Sequence, residues 1–132
     1  MTTFRSLTPN LVVADMERSV AFYRDVIGLE VIRTVPDQAP FDFAWMQRGG
    51  VDVFLNAIEA VRKESPALAD RPLGGSLTLY FVVEGVDALF ASIRDRATVA
   101  MTPTTQPYGM REFAVKDPDG YYLTFAQEME QP

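Results

Sequence analysis

Displaced by 70 residues, the chain matches itself without a gap. The identical pairs are Thr8/Thr78, Val12/Val82, Val13/Val83, Ala21/Ala91, Arg24/Arg94, Asp25/Asp95, Thr34/Thr104, Phe43/Phe113, Ala44/Ala114 and Gly50/Gly120. Average composition gives roughly three identities in a window of about fifty residues. Apolar positions correspond as well, at Met16/Val86, Val20/Phe90, Tyr23/Ile93 and Val53/Leu123. Two copies are too few, and each is too long, for an open solenoid. Packing about a pseudo-two-fold axis is the expectation, with a ligand cleft between the copies.

Within the first copy, residues 7–14 read as a β-branched strand with Pro9 near its start, where an edge strand tolerates proline. Asp15 is placed to cap a helix whose apolar face carries Met16, Val20, Tyr23 and Ile27, and Gly28 ends it. Strands are expected at about 29–35, 41–47 and 51–57, separated by a Pro-containing turn and by Arg48-Gly49-Gly50. The second copy repeats the order: a strand at 76–83, a helix face of Val86, Leu89, Phe90 and Ile93, and strands at about 98–104, 110–116 and 121–127. Asp117-Pro118-Asp119-Gly120 is a turn signal between the last two. Residues 58–75 are polar with Pro and Gly and read as a linker with room for one short helical turn. The fold expected is α+β: two tandem βαβββ modules, about 4–57 and 76–128, forming curved mixed sheets in a single domain over 1–132.

Composition narrows the chemistry. The chain has neither cysteine nor histidine. That removes disulfides, thiolate nucleophiles and the commonest metal ligands, along with the usual base near neutral pH. A net charge of −6 disfavours a nucleic-acid partner, which needs a basic face. No apolar run approaches the roughly 20 residues of a membrane span, and the first residues do not read as a leader peptide, so a cytoplasmic location without a membrane partner is expected. Nucleophile elbow, phosphate-binding loop and dinucleotide fingerprint are all missing from the sequence.

Val13-Ala14-Asp15 through Ser19-Val20-Ala21-Phe22-Tyr23, Val26-Ile27-Gly28-Leu29, and Asp117-Pro118-Asp119-Gly120 with the strand after it resemble the glyoxalase / bleomycin-resistance / extradiol-dioxygenase superfamily, also called the vicinal oxygen chelate fold. Tyr108 through Pro118, Val51 through Ala57, and Thr8-Pro9-Asn10-Leu11 resemble the bleomycin-resistance branch in particular. In the enzymes of that superfamily four equivalent strand positions hold a divalent metal through His and Glu. The resemblance places those positions at Thr8, Phe54, Thr78 and Thr124, which obey the same displacement, since 8 + 70 = 78 and 54 + 70 = 124. A one-residue slip would exchange faces and a two-residue slip would bring in Asn56, and neither supplies a chelating set. Three threonines and a phenylalanine do not form a site for Zn²⁺ or Fe²⁺, so no metal or other cofactor is expected. The threonines read equally well as ordinary core residues.

Strand parity turns Phe54, Tyr80 and Tyr122 to the same side as Thr8, Thr78 and Thr124. Phe41, Phe43 and Trp45 alternate on the third strand, and the repeat puts Arg111 and Phe113 at the matching places of the seventh. The ligand-binding set expected is Trp45, Phe54, Asn56, Tyr80, Tyr108, Arg111 and Tyr122, a surface suited to planar or cationic small molecules. Glu112, flanked by Arg111 and Phe113, is expected to face solvent, which argues against a role as a base. No catalytic residue is assigned, and binding is favoured over turnover. The resemblance implies sequestration of an antibiotic such as bleomycin by a homodimer. The alternatives are a lyase or isomerase of the same fold, or a binder of an unrelated metabolite.

Overall fold

A computed structural model of the chain describes residues 1–130. It divides into two compact units, one spanning Met1–Arg71 and the other beginning at Pro72.

In the first unit, β1 (Asn10–Val13) lies parallel to β4 (Val51–Ala57), and β3 (Phe43–Arg48) and β2 (Glu30–Val35) follow antiparallel, in the order β1-β4-β3-β2. The first strand is shorter than the sequence suggests, because Pro9 has no N–H to continue a ladder. Its carbonyl still accepts from the Phe54 N–H at 2.9 Å. Helix α1 (Met16–Ala21) starts where expected: Asp15 has extended backbone, and its Oδ1 accepts from the Arg18 N–H at 3.1 Å. The periodicity predicts a regular α-helix to Ile27, but Phe22–Val26 is a π-turn in which the Ile27 N–H reaches back to Phe22 O at 3.2 Å. The wider turn buries the neighbouring rings Phe22 and Tyr23, packed edge to face at 5.3 Å. Gly28 closes the element at φ +84°, with the Leu29 N–H bonded to Tyr23 O, six positions back, at 2.8 Å.

After β4 the chain forms two short helices, α2 (Ile58–Glu64) and α3 (Pro66–Ala69), rather than a linker with a single turn. Proline at the first position of α3 loses no helical hydrogen bond, so residues 58–69 support more helix than their polarity suggests.

The second unit contains β5 (Thr78–Val82), α4 (Val86–Ile93), β6 (Thr98–Thr105), β7 (Met110–Lys116) and β8 (Tyr122–Glu128), with sheet order β5-β8-β7-β6. Gln127 Oε1 caps α4 by accepting from the N–H groups of Gly85 and Val86 at 3.1 and 2.9 Å. Beneath α4 the core is a ladder of rings. Phe81 stacks on Phe125 at 4.8 Å, Phe125 on Phe113 at 5.1 Å, and Phe90 meets Phe113 edge-on at 5.2 Å. Asp117 Oδ1 accepts from the N–H groups of Asp119 and Tyr121, both at 2.9 Å, and fixes the turn into β8.

The two units differ at one hairpin, and the difference sets the site. Register between first and last strands is the same in both: Asn10 faces Phe54 and Tyr80 faces Thr124, each pair 44 apart. In the first unit Trp45 lies opposite Phe54, so the repeat predicts Val115 opposite Thr124. The observed partner is Ala114. Gly49 and Gly50 alone connect β3 to β4, whereas Asp117–Tyr121, five residues, connect β7 to β8. The longer connection shifts β7 by one residue, and a one-residue shift exchanges its faces. Phe113 therefore points into the core under α4, not to the side occupied by Phe43 and Trp45. Glu112 and Ala114 take the opposite face. Both the expected equivalence of Arg111 and Phe113 with Phe41 and Phe43 and the expected exposure of Glu112 are corrected by this shift.

Among the described residues no helix is long and apolar enough to cross a membrane.

Candidate functional site

Each sheet covers its helix with one face and presents aromatic and polar side chains on the other. In the first unit Leu11, Val13, Ala44, Met46, Val53 and Leu55 are buried on the helix side. Asn10, Phe43, Trp45, Asp52, Phe54 and Asn56 share the opposite face by strand alternation. The Phe54 ring meets Phe43 at 5.0 Å and Trp45 at 6.1 Å, both edge to face. Asp52 Oδ1 accepts from the Trp45 indole N–H at 2.7 Å and from the Gln47 amide at 2.8 Å. These donors, the indole first, hold the Asp52 carboxyl below the usual carboxylate range. Trp45 is thus fixed in orientation, with part of its ring surface open. At the β1 edge the Asn56 amide donates to Asn10 Oδ1, at the floor of a hollow of about 180 Å³ walled by Val61, Glu64, Ser65 and Leu68.

In the second unit Thr78, Tyr80, Glu112, Tyr122 and Thr124 share the face away from α4. Thr78 Oγ1 lies 3.0 Å from Thr124 Oγ1, and the Thr78 hydroxyl donates to Tyr122 O at 3.1 Å. Glu112 is only 4% exposed. Its Oε1 accepts from the Tyr108 hydroxyl at 2.8 Å, and its Oε2 accepts from the Tyr80 hydroxyl. Hydrogen bonding to this carboxylate is the main reason the Tyr80 phenol is pushed up to about 12, with desolvation and the carboxylate's charge adding to it. Tyr108 is raised for the same reasons. A hollow of about 340 Å³ adjoins Tyr108 and is lined by Gly109, Met110, Glu128, Met129 and Glu130.

Of the residues expected from sequence, Trp45, Phe54 and Asn56 come together on the first sheet, and Tyr80, Tyr108 and Tyr122 lie on or beside the second. Arg111 does not join them. Its side chain pairs with Asp87 on α4 at 3.0 Å and donates to the Thr105 hydroxyl at 3.2 Å. Thr8 precedes β1, outside the regular strand. Sequence reasoning missed Glu112, and the signal that could have found it was the length of the loop after β7.

The comparisons with known proteins agree with this architecture. Residues 5–125 match the Glyoxalase/Bleomycin resistance protein/Dioxygenase superfamily, and the chain belongs to it. No curated protein matches the chain. Among solved structures it is similar to a protein of unknown function from Agrobacterium tumefaciens, at 24% identity and TM-score 0.77, covering 98% of each chain. A glyoxalase/bleomycin resistance protein/dioxygenase from Nocardioides matches at 23% identity and TM-score 0.77, covering 99% of this chain and 89% of that one. A glyoxalase/bleomycin resistance protein/dioxygenase family enzyme from Burkholderia phytofirmans matches at 25% identity and TM-score 0.75, covering 92% and 97%.

Membership raises the question of a divalent metal, and the residues the sequence resemblance assigns to its ligand positions, Thr8, Phe54, Thr78 and Thr124, do not have the chemistry to hold one. Thr78 and Thr124 offer neutral hydroxyls already engaged with each other, and Phe54 fills its position with a ring packed on Phe43 and Trp45. Among the described residues no group of three or more acidic side chains is arranged to hold a metal ion.

Proposed function

We propose that the chain is a metal-free small-molecule-binding protein that sequesters a planar ligand, of which a bleomycin-type antibiotic is the model. What supports this reading is that the residues expected at the ligating positions, Thr8, Phe54, Thr78 and Thr124, cannot chelate, while Trp45 shares the sheet face of Phe54, and Tyr80 and Tyr122 that of Thr78 and Thr124. Aromatic faces bury planar rings with a gain of about 0.5–1.5 kcal/mol per pair beyond area burial. Asp52 holds Trp45 in one orientation, which lowers the ordering cost of a ligand stacking on it. Calorimetric titration with metal-free bleomycin tests the reading: saturable binding with one defined stoichiometry is expected, and absence of binding rejects bleomycin as the ligand class.

The working form in this reading is a cytoplasmic homodimer. The segment before β1 carries Phe4 and Leu7 at 94% and 91% exposure, apolar side chains for which a second copy is the natural cover.

One observation favours a second reading, a lyase or isomerase of the same fold. Glu112 is buried on the sheet face away from α4, and the Tyr80 and Tyr108 hydroxyls that bond its two oxygens connect it to the exposed side, so a proton can reach the carboxylate through them. Loss of turnover in Glu112→Gln, with ligand affinity unchanged, is the result that would establish it.

A further inference from the structure

The Tyr80–Glu112–Tyr108 group has an electrostatic property that aromatic packing does not explain. Glu112 is a carboxylate buried to 4% exposure, and among the described residues no Lys or Arg pairs with it. Burying a carboxylate is costly unless donors replace its water, and here two phenols do so. Phenols carry no charge, so the group keeps a net negative charge behind two rings that are 49% and 65% exposed.

The direction of the hydrogen bonds decides what the surface recognises. Each phenol spends its only proton on Glu112. Outwardly each hydroxyl oxygen can then act only as an acceptor, and donating to a carboxylate makes it a stronger one. Two acceptor oxygens backed by one buried negative charge, flanked by ring faces, match a cationic group rich in N–H donors. Anions and neutral acceptors are rejected by the same arrangement. The hollow beside Tyr108 adds Glu128 and Glu130 to its rim, so the approach is acidic as well.

We infer that Tyr80, Tyr108 and Glu112 form a recognition site for a protonated primary amine carried by the ligand. The inference rests on the binding reading above and gives it a charge requirement: the planar part of the ligand stacks, and the amine seats on the two phenol oxygens.

Benzylamine, protonated at neutral pH, and its neutral analogue benzyl alcohol are the probes, followed by NMR shifts of the tyrosine rings. The native protein is expected to bind benzylamine about tenfold more tightly than benzyl alcohol, the scale of one charge-assisted, ring-flanked contact. Glu112→Gln keeps an acceptor for the phenols but removes the charge, and the preference should fall to near unity. Tyr108→Phe, at an exposed ring, should fold normally and lose part of the preference, which keeps the test decisive if Glu112→Gln does not fold. Equal affinity of the native protein for both probes, binding of neither, or a preference unchanged in the variants overturns the amine site. If the preference is absent while bleomycin still binds, the amine site is overturned and the binding reading stands. A preference without bleomycin binding supports the amine site and rejects bleomycin as ligand.

Discussion

The Tyr80 hydroxyl donates to Glu112 across 32 residues of sequence, from the first strand of the second unit to its third. Neither partner is conspicuous alone. Together they place a buried carboxylate where the repeat suggests a side chain facing solvent.

That bond has an alkaline signature. The Tyr80 phenol is raised from an ordinary value near 10 to about 12. Between those values the unfolded chain has released the proton while the folded chain still holds it, so stability falls as pH rises through this window. Tyrosinate absorbance should show Tyr80 and Tyr108 titrating late, Tyr80 near 12, and Glu112→Gln should bring both back toward the ordinary value. A titration unchanged in the variant would contradict the assignment.

The register shift makes two residues of the repeat energetically unequal. Phe113 is fully buried between Phe90 and Phe125, whereas its counterpart Phe43 is half-buried on an open sheet face. Phe113→Ala should cost about 3–5 kcal/mol, in the range for ring-to-alanine changes in a core, and Phe43→Ala clearly less. Denaturant midpoints of the two variants check this, and equal losses would argue against the shift.

Gly74 and Gly49 both have left-handed backbone, at φ +77° and +57°, but only Gly74 is crowded. A Cβ there would lie 2.6 Å from Gly120 C and 2.7 Å from Asp119 O, both backbone atoms. Gly49→Ala should cost about 1–2 kcal/mol, the ordinary left-handed penalty. Gly74→Ala should cost more, because the Asp117–Gly120 turn must move. Thermal unfolding of both variants measures the difference.

In the proposed homodimer a second copy covers the exposed Phe4 and Leu7. Sedimentation should give a species near twice 14.7 kDa, and Phe4→Ser with Leu7→Ser should shift it to monomer. A native protein that stays monomeric at every concentration would contradict the dimer.

Much of the architecture is legible in the sequence because local signals and the repeat agree. Asp15, Gly28 and the Asp117–Gly120 turn mark element ends where they occur, and every expected strand is found with bounds displaced by a few residues. The misses on β7 share one origin. A gapless repeat preserves residue correspondence but not hairpin register, and register depends on loop length. Glu112, Arg111 and Phe113 all sit on the strand that the longer loop displaces. The π-turn at Phe22–Val26 leaves no periodic signature, since five residues are too few to shift the apolar pattern visibly. The helices α2 and α3 lie in a stretch whose Pro and charged residues read as linker until Pro66 is recognised as a helix start.

Trp45, the only tryptophan, reports directly on the central claim, because Asp52 fixes its ring on the open face of the first sheet. Its fluorescence should be measured during titration with metal-free bleomycin, with EDTA and, separately, with added Zn²⁺. Saturable quenching indifferent to EDTA and to Zn²⁺ is the predicted result. No response to bleomycin, with a Zn²⁺-dependent change that EDTA reverses, would contradict a metal-free binding protein.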